Sequence, residues 1–141
     1  MGLSEMNGVL LSDISLLSYR AKNSAGTSAT IYVNIAISLS GSTTFVSGTD
    51  DILFYDPAAT TQPEGAIVAN TFQTWNTIAG NGTTAGHWRC VFGKAKINGS
   101  TACTTLTNYD LSVFQAYNVA AKIVPAPGPG ATNIMQESPI N

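Results

Sequence analysis

The sequence predicts an all-β chain, a two-sheet β-sandwich of jelly-roll type with one short helix near residues 108–117. Three observations carry this. The stretch Thr30-Ile31-Tyr32-Val33-Asn34-Ile35-Ala36-Ile37-Ser38-Leu39 sets Ile31, Val33, Ile35, Ile37 and Leu39 at alternate positions, a period that only a half-buried strand turns into one continuous apolar face. Further short apolar runs recur between Gly, Pro, Asn and Asp punctuation, the rhythm of an all-β chain. Charged residues make up only 10% of the sequence, against about 25% in an average domain. Ser, Thr, Asn and Gly supply most of the polarity instead, and Ser and Thr suit secreted pleated surfaces.

The chain of 141 residues supports one domain, 1–141, able to bury about 70% of its unfolded surface. In the region 9–22, Ser12-Asp13 fits the start of a short helical turn, with residues 16–20 running extended. A turn at 23–26 leads into the diagnostic strand 29–39, and Gly41-Ser42 separates it from a short strand expected at 43–46. Ile52-Leu53-Phe54-Tyr55 is a compact apolar run ended by Asp56-Pro57, and Ala66-Ile67-Val68-Ala69 is another strand. Residues 72–79, with Trp75 and Ile78 three apart and Gly80 following, fit either a helical turn or a strand. Strands are expected at 87–92 and 120–124. Leu111, Phe114 and Tyr117, with Asn108 or Thr107 as N-cap, make the best helix. Pro125-Ala126-Pro127-Gly128-Pro129-Gly130 reads as a loop, because proline cannot donate to a ladder. No fixed-period repeat occurs.

Cys90 and Cys103 flank Asn98-Gly99-Ser100, which reads as a hairpin. A disulfide closing that loop stabilises the fold by about 3 kcal/mol in the chain-entropy model; two unpaired buried thiols are the alternative. Asn81-Gly82-Thr83 and Asn98-Gly99-Ser100 are N-glycosylation sequons in turn-like stretches.

Six basic against eight acidic residues give a net charge of -2, without the dense positive run that nucleic acid or anionic membrane requires. Neither is an expected partner, and no window is long and apolar enough for a membrane helix. Met1-Gly2-Leu3-Ser4-Glu5-Met6 is no leader, so the expected extracellular or cell-surface location requires one removed or lying outside this chain. Residues 134–141 read as a strand cut short, which suits a domain trimmed at both ends or a subunit whose edge a neighbour completes.

The succession Leu11-Ser12-Asp13-Ile14, Leu17-Ser18-Tyr19, the alternating strand ending in Leu39, Leu53-Phe54-Tyr55-Asp56-Pro57, Thr74-Trp75-Asn76, Gly86-His87-Trp88 and then a capped helix resembles a set of secreted bacterial and fungal β-sandwich surface domains. These are similar in outline to carbohydrate-binding jelly rolls. The resemblance spans most of the chain and implies an extracellular module of the kind carried on larger surface proteins. In that pattern the chain continues past the final strand to an acidic residue and a closing strand.

Residues able to do chemistry are few. The single histidine, His87, would have to serve any Ser-His-Asp or Cys-His device. It has no second His or Cys at metal-ligand spacing, and nothing in the spacing selects its triad partners. Its plain role is a strand-edge residue beside Trp88, and no catalytic residue is assigned. Asp50, Asp51, Asp56 and Glu64 cluster as weak candidates for calcium, which takes six to eight oxygens; turn capping is the alternative. No other cofactor is expected.

Sugar rings stack on Trp and Tyr while amides bond their hydroxyls. That makes Tyr32, Asn34, Trp75 and Trp88 the ligand-binding candidates, with core packing the competing role for both tryptophans. Tyr32 lies with Asn34, Ala36 and Ser38 on the face opposite the apolar stripe. The expected role is a non-catalytic binding or adhesive module whose partner is a glycan or another surface protein. The alternative is a structural subunit of a filament, coat or capsid that exchanges strands with copies of itself; a polysaccharide-active enzyme comes third.

Overall fold

The computed structural model describes residues 4–22, 31–55, 68–78, 88–127 and 135–137. Their strands are β1 (Ser18–Lys22), β2 (Ile31–Ser38), β3 (Asp51–Tyr55), β4 (Phe72–Asn76), β5 (Trp88–Cys90), β6 (Lys96–Asn98), β7 (Thr101–Ala102), β8 (Lys122–Ile123) and β9 (Met135–Glu137). Helix α1 spans Leu111–Tyr117, and 3₁₀ turns occupy Ser4–Met6 and Leu11–Asp13.

The alternating strand is the centre of the molecule. β2 pairs antiparallel with β3 on one edge and with β8 and β9 on the other, and β5 lies beyond β3, making a five-stranded sheet. Val33, Ile35 and Ile37 of β2 are buried with Leu53 and Tyr55 of β3, Trp88 and Cys90 of β5 and Ile123 of β8, as the period of two requires. Leu39 sits in the turn beyond β2 and is half-buried.

Over this inner face lies a two-stranded sheet, β1 with β4, in which Tyr19 and Trp75 are partners in register. Tyr19 meets Tyr55 edge-on with centroids 6.4 Å apart, and the Trp88 indole N–H donates to the Thr77 carbonyl. Leu11, Ile14, Leu111 and Phe114 complete the core. Gln115 Nε2 ties α1 to the Leu11 and Ile14 carbonyls at 2.8 Å each. Asn118 Nδ2 donates to the Phe114 carbonyl at 2.8 Å and to the Lys96 carbonyl at 2.9 Å, and Oδ1 accepts the Lys96 N–H at 2.8 Å, fastening the helix to β6.

All described sheet pairings are antiparallel, so the all-β expectation with one short helix holds. Among the described residues the strands form one five-stranded sheet and two two-stranded ones rather than two facing sheets of similar size.

Local differences from the sequence reading have identifiable causes. No strand forms at 43–46, because side chains take the N–H groups a ladder would use. Val46 N–H goes to Asp50 Oδ2 at 2.7 Å, Ser42 N–H to Ser38 Oγ at 3.1 Å and Thr44 N–H to Ser42 Oγ at 3.3 Å. Gly41 turns this loop at φ 79°, where a Cβ would come within 2.8 Å of the Ala120 carbonyl oxygen. The N-cap of α1 is Asp110, with no side-chain cap bond, rather than Asn108, whose Oδ1 accepts from Arg89 instead. Of the stretch that fitted either a helical turn or a strand, Phe72–Asn76 form the strand β4 and residues 77–78 a turn.

The two short strands on one edge of β2 are segments of a single line. Ile37 faces Ile123 and Val33 faces Met135, so four steps along β2 correspond to twelve along the partner, eight more than an uninterrupted strand needs. The sequence between the two strands includes the run Pro125-Ala126-Pro127-Gly128-Pro129-Gly130.

Candidate functional site

The cysteines are joined as a disulfide, with Cα atoms 6.5 Å apart. Their strands do not pair with each other as a simple hairpin would have them. Cys90 faces Leu53 in the main sheet, whereas Cys103 follows the β6–β7 hairpin, its N–H on the Ala95 carbonyl at 2.8 Å. The bond therefore staples the hairpin to the sheet.

Asp50 and Asp51 are buried, 2% and 0% exposed, and both turn their oxygens to backbone donors. Asp50 accepts from Leu39 and Val46 at 2.8 and 2.7 Å. Asp51 accepts from Ile52 and Phe92 at 2.9 and 2.8 Å through one oxygen, and from Lys94 and Ala95 at 2.6 and 2.9 Å through the other. The four N–H groups on Asp51 take up its four lone-pair positions, whereas the two on Asp50 leave one position on each oxygen; through these bonds both aspartates anchor loops. Asp51, Cys90 and Cys103 form the one grouping of three ligand-type residues among those described, but its sulfurs are bonded to each other. Asp56, Glu64, His87 and Asn81 lie outside the described residues. Asn98 is exposed at the end of β6.

Trp75 and Trp88 are core residues, 4% and 0% exposed, and offer no face to a ligand. Their glycine-rich neighbourhood in the sequence conceals that both stand on the inward side of paired strands. Tyr32 and Asn34 are half-buried on the side of β2 opposite Val33 and Ile35, but Ala36 and Ser38 further along the same side are fully buried, so the polar face expected over all four residues is open only at its Tyr32–Asn34 end.

That outward face carries an arrangement that the separate runs do not display in the sequence. Asn34 is the register partner of Phe54, and Phe54 of Arg89, so amide, aromatic ring and guanidinium stand side by side across β2, β3 and β5, about 4.8 Å from strand to strand. All three are half-buried. Arg89 Cζ lies 5.8 Å from the Phe54 ring centroid, and Arg89 Nε donates to Asn108 Oδ1 at 2.8 Å, which fixes the guanidinium. No hydrogen bond joins the Asn34 amide to another side chain or backbone group among the described residues. Ile52, with the Val91 N–H on its carbonyl at 2.9 Å, continues the same face on its apolar side.

Phe54 and Arg89 were hidden from sequence reasoning because Ile52-Leu53-Phe54-Tyr55 reads as uniformly apolar and Arg89 as an isolated cation. Aligning 31–38 antiparallel to 51–55 is the signal that finds them. No protein family, curated protein or solved structure matches this chain.

Proposed function

We propose that the chain is a non-catalytic extracellular module that binds carbohydrate, or adheres to a surface partner, through the outward face of its five-stranded sheet, on a body of jelly-roll sandwich type. The observation that supports it is the row Asn34–Phe54–Arg89. A partly exposed ring gives a platform for sugar C–H faces, and flanking amide and guanidinium groups give donors for hydroxyls. Sheet-borne side chains hold such a constellation more rigidly than loop-borne ones. A disulfide in a chain of low charge suits an oxidising, extracellular setting, and among the described residues no helix is long and apolar enough to cross a membrane.

The test is a glycan array probed with the full chain, followed by titration of the best ligand against Phe54→Ala and Asn34→Ala, with folding checked by circular dichroism. Binding lost in Phe54→Ala supports the reading, and a silent array removes it.

A second reading, a structural subunit of an extracellular assembly, draws on β9. This strand completes the edge of β2 with three residues, and a strand so placed suits exchange between copies. Light scattering across a concentration series tests it, and a monomer at every concentration counts against it.

A further inference from the structure

The guanidinium on the outward face carries a charge that a neutral sugar does not require. Arg89 is half-buried, and its contacts among the described residues are the Nε bond to Asn108 and the Phe54 ring, with no carboxylate. A guanidinium partly withdrawn from water loses solvation that an anion restores. With Nε committed, both terminal nitrogens remain, and their fork matches a carboxylate in two parallel hydrogen bonds. The other charged side chain at a described outward position, Lys122 opposite Ser38, is also a cation, although the whole chain is net negative.

We infer that this face selects acidic sugars, with Arg89 receiving the carboxylate of a uronic acid residue whose ring rests on Phe54 and whose hydroxyls meet Asn34. The inference rests on the carbohydrate reading above. The three side chains span about 10 Å across two strand spacings, and the carboxylate of a uronic acid stands one bond off the pyranose ring. A sugar seated at Phe54 thus places its charge over the neighbouring strand, where Arg89 stands.

The test is titration calorimetry of the full chain with an oligomer of galacturonic acid, its methyl ester and the neutral galactose oligomer. The acid is expected to bind about thirtyfold more tightly than either neutral form, the gain of a charged bidentate contact, and the gap should narrow with added salt. Arg89→Gln should abolish the preference, whereas Lys122→Gln should keep it. Equal affinity for acid and ester in the unmodified protein overturns the selectivity while leaving the carbohydrate reading standing. The ester comparison does not depend on any variant folding. Binding of none of the three, with a silent array, removes both.

Discussion

Asp51 accepts the backbone N–H of Lys94, 43 residues further along the chain, at 2.6 Å. With the Phe92 and Ala95 bonds it makes the segment after β5 wrap around one buried carboxylate. Asp51→Asn replaces an acceptor oxygen with a donor that faces other donors, which is expected to cost about 3 kcal/mol. Asp50→Asn, with two such bonds at stake, should cost about 2 kcal/mol. Urea denaturation with the disulfide intact measures both, and equal small losses would show that the loops hold without these anchors.

The disulfide fastens a hairpin that otherwise meets the body through Asn118, Asp51 and the face of α1. A closed loop of this size contributes about 3 kcal/mol in the chain-entropy model. Cys90→Ala with Cys103→Ala should therefore lower the melting temperature by roughly 10 °C. Because the Asn118 bonds to Lys96 do not depend on sulfur, the double variant is expected to stay folded at room temperature. Calorimetry measures the shift, and a melting point unchanged from the parent protein would mean that the staple constrains little.

Both tryptophans are buried, and Trp88 also donates to the Thr77 carbonyl. The native emission spectrum should accordingly be blue-shifted and resist quenching by acrylamide, changing in one step on unfolding. Trp88→Phe leaves a buried carbonyl without its donor and is expected to lose about 2 kcal/mol. A native spectrum quenched as readily as free tryptophan would contradict the packing.

What the sequence discloses follows the range of the interactions involved. The stripe Val33, Ile35 and Ile37, the turn at Gly99-Ser100 and the helix through Leu111 and Phe114 are written in local periodicity and composition. The roles of Asp50 and Asp51 are not, because their partners lie up to 44 residues away and nothing near an aspartate distinguishes a ligand to calcium from an acceptor of backbone N–H groups. Trp75 and Trp88 were ambiguous for a related reason: which face of a short strand turns inward depends on its register with a neighbour. The same register creates the Asn34–Phe54–Arg89 row, so the candidate site becomes visible only once β2, β3 and β5 are paired.

The edge shared by β8 and β9 yields the sharpest topological test. Both segments run antiparallel to β2 on the same side, offset by eight residues, an even number that preserves the alternation of faces. Removing residues 126–133 should let Pro125 follow Val124 opposite Ile35, and Ile134 stand opposite Asn34, turning two short strands into one. Pro125 forgoes one ladder bond, which suits an edge strand. The shortened chain is expected to fold with its disulfide formed and with stability within about 1–2 kcal/mol of the parent, since a change of eight residues in the length of a connection costs little. Thermal melting and amide exchange across β2 read the outcome. Loss of protection at Ile31, Tyr32 and Val33 would mean that β9 cannot reach the edge along this line, and that the surplus residues are needed to bring it there.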